Sequence, residues 1–223
     1  MTTTNPTPQV KVKDDPGKQV FLCEDKAIFF VTIEHDEDCP NPLEDCDGMG
    51  HILSLNRRHR NFKPEDIERL LAERPDDVVP LSYFEHGLCL WDVQGGASIR
   101  NCPDMRWDGV SFAGIWYPDQ SLLDMANDEK TPEARRAKLV QWASEACKVY
   151  TEWCNGNCYA FNAVAYAPMR DKHQEICREQ KVYANLSEPM AEDSCCGFIG
   201  DDGIQSMISD YIDPLIEQVF AKF

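Results

Sequence analysis

No apolar run in this chain approaches the roughly 20 residues that a membrane helix needs. The longest, "AIFFVTI" and "CYAFNAVAYA", fall far short. The leading "MTTTNPTPQVKVKDD" lacks the apolar centre of a signal peptide, so the expectation is a soluble, cytoplasmic chain. A disulfide framework is missing too. The eleven cysteines are an odd number, and Cys89, Cys147 and Cys177 sit within apolar or helical patterns, so most are expected to be reduced, buried thiols. At 223 residues the chain can bury a core without such staples. It has no internal repeat, and no motif in it names a reaction.

Positive charge is in short supply: 22 Lys and Arg face 39 Asp and Glu, a formal charge of −17. That argues against direct binding to nucleic acid, whose affinity comes chiefly from cations meeting phosphates. Bases are wholly absent from 34–47, which holds seven acids, and from 182–221, which holds eight. Setting those 15 aside leaves 24 acids against 22 bases, so nearly all the net charge lies in two stretches. Glu34, Asp36, Glu37, Asp38, Glu44, Asp45 and Asp47 in the first, with Asp201, Asp202, Asp210 and Asp213 in the second, are candidate partner-binding residues. The plainer use of such runs is solvation.

The remaining pattern alternates strands and helices in runs. Residues 1–17 are Thr-, Asn- and Pro-rich and read as a disordered lead-in. "KQVFLC", "KAIFFVTIEH", "HILSL", "VVPLSYF", "LCLWDV", "GVSFAGIWY" and "CYAFNAVAYA" have strand character, followed by "KVYANL" and "DSCCGFIG". "EHG" signals a hairpin, and the strands around it suggest an antiparallel meander. "KPEDIERLLAER" predicts a helix opened by Pro64 and ended by Pro75; a second is capped by Thr131, opened by Pro132 and stopped by Gly156. The last segment carries an apolar stripe from Ile204 to Phe220, with Pro214 placed to kink or interrupt it. The expected fold is α+β, a single domain over 18–223: a mainly antiparallel sheet with helices packed on one face and a long C-terminal helix.

Several pieces then occur in a distinctive order: "DEDCPNP", "DGMG", "NRRHR", "VVPLSYFEHGL", "CPDMRWDGVSFAGIWY", "YTEWCNGNCYAF" and "DSCCGFIG". From about Thr32 to Gly200 this resembles a group of phage-encoded accessory proteins of unassigned function. There the pieces read as an acid, Asn-Pro, Asp-Gly loop with paired arginines, a "YDHSG" hairpin, a "CxWDSGxxGxIY" strand, a "YxxYLxGxxYGF" element and a "DSCWGFxG" turn. This chain departs from the pattern at Glu85, which replaces an Asp, at Cys196, where the group often has Trp, and in an insertion from Pro168 to Gln180. The resemblance implies a viral accessory protein in the cytoplasm of an infected host cell, and carries over no catalytic residue.

The stretch from His35 to Arg60 sets acids beside a basic cluster and admits three readings. As a calcium loop it fails, because Pro40 or Met49 stands at the fifth position and Asp47 or Asn56 where a bidentate Glu belongs. For zinc, His35, Cys39, Cys46 and His51 are suitable types without a close Cys pair. For catalysis, Asp36, Asp38, Asp45 and Asp47 could hold a metal while Arg57, Arg58 and Arg60 grip a phosphate and His59 shuttles a proton. Simple pairing of these arginines with the acid loop is preferred. His86 and the Cys195–Cys196 turn are weaker candidates, and Trp107, Trp116, Phe112 and Tyr117 are expected in the core.

Two functions follow. The first is a non-enzymatic acidic binder whose surface imitates nucleic acid and occupies a basic surface on a host nucleic-acid-processing or defence protein. The alternative is a metal-dependent enzyme acting on a phosphate-containing or nucleotide substrate. The first needs no cofactor, no direct nucleic acid and no membrane, and leaves the oligomeric state open.

Overall fold

A computed structural model describes residues 19–23, 27–45, 48–102, 105–170 and 182–221. The lead-in 1–17 and most of the Pro168 to Gln180 insertion lie outside them. In chain order the elements are β1 (Gln19–Cys23), β2 (Ala27–His35), α1 (Pro42–Asp45), β3 (His51–Ser54), α2 (Pro64–Glu73), β4 (Val79–His86), β5 (Leu88–Val93), α3 (Ala97–Arg100), α4 (Met105–Asp108) and β6 (Gly109–Tyr117). Then come α5 (Gln120–Asn127), α6 (Pro132–Cys154), β7 (Cys158–Arg170), β8 (Val182–Ile199), α7 (Gly200–Met207), a π-turn (Ile208–Ile212) and α8 (Asp213–Phe220). The class is α+β, with every strand pairing antiparallel.

Two compact units divide the chain. One is discontinuous, made of the chain up to Cys39 and from Cys158 onward; the other, Pro40–Asn157, is inserted between β2 and β7. Each has its own four-stranded sheet, ordered β1-β2-β7-β8 and β3-β6-β4-β5. The pattern of the strands does not reveal this split, because it sets which face of a strand is apolar and not which partner it takes.

In the discontinuous unit, Phe29 and Val31 of β2 and Phe161, Ala163 and Ala165 of β7 form an apolar face. Against it pack Met207, Ile212, Leu215, Ile216 and Val219 from the C-terminal helical segment. Pro214 falls in the first turn of α8. Proline can donate no hydrogen bond, and its ring crowds the carbonyl four residues back, which here belongs to Asp210. The helix widens into a π-turn at Ile208–Ile212, so the expected interruption is accommodated without a break.

In the inserted unit, α6 is the spine. Thr131 Oγ1 accepts from Ala134 N at 3.1 Å and Pro132 occupies the first turn. Gly156 beyond it takes φ 76°, a left-handed value that glycine adopts without steric cost. Its buried Leu139, Ala143, Ala146, Cys147 and Tyr150 pack on Leu81, Trp91 and Trp116. Helix α2 covers the opposite face through Ile67 and Leu70 against Ile115, so helices here do not keep to one side. Nor is the sheet a meander: β6 pairs with β4, not with β5. The outer edge of β5 is taken by α6 instead. Thr151 Oγ1 accepts from Trp91 N at 2.9 Å, and Asn155 accepts from Cys89 N at 2.8 Å while donating to Cys89 O at 3.0 Å. Helix side chains thereby satisfy an edge strand that would otherwise need another strand.

Candidate functional site

The acid-rich stretch straddles the two units. Its first part ends β2 in the discontinuous unit, where Asp36 N donates to Cys158 O at 2.8 Å and Asp36 Oδ2 accepts from Gly197 N at 3.0 Å. These bonds carry Glu37 and Asp38, both exposed, to the end of the sheet at which β8 turns into α7. Asp201 and Asp202 stand exposed in the first turn of α7, where the helix dipole favours anions. Glu34 is exposed on β2; Asp210 and Asp213 are exposed further along, in the π-turn and at the start of α8. Part of each acidic stretch thus meets at one end of one sheet. Glu44 is exposed in the inserted unit on α1, which ends at Asp45, while the Asp45 side chain and Asp47 lie outside the described residues.

Any pairing of the arginines with Asp45 or Asp47 of the acid loop lies outside the described residues. Among the described residues no ion pair includes Arg57, Arg58 or Arg60. The loop's exit is held by a carboxylate: Asp119 Oδ2 accepts from Gly48 N at 2.8 Å and Gly50 N at 3.4 Å, and its Oδ1 accepts from Leu122 N at 3.0 Å, capping α5. Burial would raise the Asp119 carboxyl, but bonds from Leu122, Ser121, Gly48 and Gly50 outweigh it and hold it below the ordinary range. Trp116 Nε1 adds a bond to Met49 O at 2.9 Å. The Gly48 and Gly50 N–H groups and the indole thus hold the exit of the acid loop.

The basic cluster forms its own turn. Asn56 N donates to Ser54 Oγ, and Arg58 N donates to Asn56 Oδ1, each at 3.0 Å. The second bond leaves Asn56 Nδ2 to face His59 Nε2 at 3.2 Å, so His59 carries its proton on Nδ1 and donates it to Ser54 Oγ at 2.8 Å. Burial lowers the His59 pKa, partly opposed by Glu85. His59 is therefore a neutral ring with both nitrogens engaged, packed edge-on to Tyr83 and Trp91. Neither nitrogen is free for the proton shuttle that the catalytic reading would ask of it.

This turn is one wall of a cavity of about 300 Å³ within the inserted unit. The other walls are Tyr83 and Trp91 from the hairpin and Tyr150 and Trp153 from α6, the last two stacked at 5.7 Å. Tyr83 Oη donates to Glu85 Oε2 at 3.0 Å; burial, and then this bond, push the phenol's pKa up. Asn61 Nδ2 donates to Ile52 O at 3.0 Å, while its Oδ1 is buried without a partner. The Cys89 and Cys154 thiols also reach the cavity, Cys89 lowered by its hydrogen bond with Cys154. Beyond His59 and Arg60, the pairing and catalytic arguments single out none of these residues, yet "NRRHR", "VVPLSYFEHGL" and "YTEWCNGNCYAF" supply most of them. Convergence of those pieces was the available signal.

Other candidates resolve simply. None of the eight cysteines whose side chains are described is in a disulfide, but only Cys147 and Cys158 are buried, so most of these thiols are not the buried ones expected. Cys39 hydrogen-bonds with Cys158, and burial, then that bond, push it up to about 12. No group of three or more His, Cys, Asp or Glu that could hold a metal gathers among the described residues. His86 meets Asp108 at 2.8 Å on the surface, and Cys196 is exposed. Trp116 is buried as expected, but Trp107 is 77% exposed because α4 is a four-residue surface turn, and Phe112 is exposed as well. Among the described residues no helix is long and apolar enough to cross a membrane. No family model, curated protein or solved structure matches the chain.

Proposed function

We propose that the chain is a phage accessory protein acting as a non-enzymatic acidic binder, one that occupies the basic surface of a host nucleic-acid-processing or defence protein. The observation that supports this is the Asp36–Gly197 hydrogen bond, which joins positions 161 residues apart and brings acids of both stretches to one end of a sheet. Exposed carboxylates at fixed spacing on a sheet end present a field that steers and orients a basic partner. Of the ligand set that the metal-dependent enzyme would need, Asp36 already accepts from Gly197 N, and the Asp45 side chain and Asp47 lie outside the described residues.

The test is capture from host lysate at low salt with identification by mass spectrometry. The expected capture is a nucleic-acid-binding protein, released by duplex DNA and by rising salt, and lost when Glu37, Asp38, Asp201 and Asp202 are changed to Lys. Capture that survives both DNA and the four reversals would overturn the proposal.

A further inference from the structure

We propose that the aromatic cavity of the inserted unit binds a guanine nucleotide, with the donor edge of the base on Glu85 and the phosphate on Arg60. The inference is independent of the acidic sheet end, since it rests on other residues and another unit.

Size comes first. About 300 Å³ is the lower end of what small-molecule sites enclose, enough for a fused ring system and too little for a folded partner. The walls suit a flat ring: Trp153 is half-buried and stacked on Tyr150, with Trp91 behind. Stacking on such rings favours nucleobases of any kind, so the polar groups decide which.

Those groups have opposite signs. The Glu85 carboxylate accepts no other hydrogen bond than the one from Tyr83 among the described residues, leaving its second oxygen open. Arg60 is exposed, with no ion pair among them. A simple cation would suit Glu85 but face Arg60, and a simple anion the reverse. A ligand with hydrogen-bond donors on a ring and a separate anionic group suits both. Guanine carries two adjacent N–H donors, N1 and N2, that match the two oxygens of a carboxylate. Adenine sets a ring acceptor against that carboxylate and is disfavoured. The Ser54–His59–Asn56 bonds hold the turn that carries Arg60, so the backbone that presents this side chain is set before a ligand arrives.

Titration of the purified chain with GMP, AMP, guanosine and inorganic phosphate, followed by tryptophan fluorescence and calorimetry, tests the site. GMP should bind, with AMP and guanosine each weaker by about tenfold or more and phosphate alone weaker still. Glu85→Gln should remove the preference for GMP over AMP. Arg60→Ala should remove the preference for GMP over guanosine and leave guanosine binding unchanged. Both side chains are exposed, and unchanged thermal unfolding confirms that each variant is folded. Failure of GMP to bind at millimolar concentration, equal binding of GMP and AMP, or undiminished GMP affinity in both variants overturns the proposal.

Discussion

Gly50 turns with φ 66°, and a Cβ built there would lie 2.6 Å from the Trp116 ring. Gly48, two residues earlier, has φ 87° but open space around it. Gly50→Ala should therefore destabilise by about 3 kcal/mol, combining a left-handed backbone with a clash against a buried indole, whereas Gly48→Ala should cost about 1 kcal/mol for the backbone alone. Denaturant midpoints of the two variants check the contrast. A second residue reports on pH. Burial would raise the Asp77 carboxyl, but bonds from Arg135 and from Arg74, the latter at 2.8 Å, hold it below its ordinary value. A depressed carboxylate adds stability that is full above the unfolded value of about 3.9 and is lost as pH falls through the lower folded value. Unfolding curves between pH 6 and pH 2 should show that loss, and Asp77→Asn should make the acid limb shallower. Equal acid limbs in both proteins would refute the assignment. Asp36 belongs at this scale too: its carboxylate bonds Gly197 N, so Asp36→Lys removes a structural bond as well as a charge, unlike reversal of exposed Asp38.

Strand β5 shows how an element depends on more than its own sequence. "LCLWDV" has strand character by itself, but its outer edge is closed by Asn155 and Thr151 of α6. Asn155→Ala leaves the Cys89 N–H and C=O without these partners and should cost about 1–3 kcal/mol. Amide exchange at Cys89 should accelerate more than exchange at Leu81 on the inner strand β4, and equal acceleration at both would count against the edge-clamp role. At the C-terminus, Pro214 was readable as an interruption. The π-turn that absorbs it was not, because a widened turn depends on the apolar stripe staying on the sheet through Ile212 and Leu215.

For the whole molecule, the distribution of charge sets the behaviour in solution. If the acids at the sheet end capture a basic partner, the association rate should fall steeply between low salt and physiological ionic strength, where the screening length is about 8 Å, and the dissociation rate should change little. Surface plasmon resonance at several salt concentrations measures both rates, and a salt-independent association rate would exclude electrostatic steering. Sequence alone determined the α+β class, the proline starts of α2 and α6, the Thr131 cap of α6, the hairpin at "EHG" and the confinement of net charge to two stretches. Those features are local, since each depends on the period of apolar residues, a backbone preference or a count of charges. Tertiary structure decided that there are two sheets, that β6 joins β4, that Asp119 holds the exit of the acid loop, and that His59 has no nitrogen to spare. It also decided that segments from 59–61, 83–91 and 150–155 enclose one cavity. Each of these is a choice of partner among distant residues with similar local chemistry, and packing, not pattern, makes that choice.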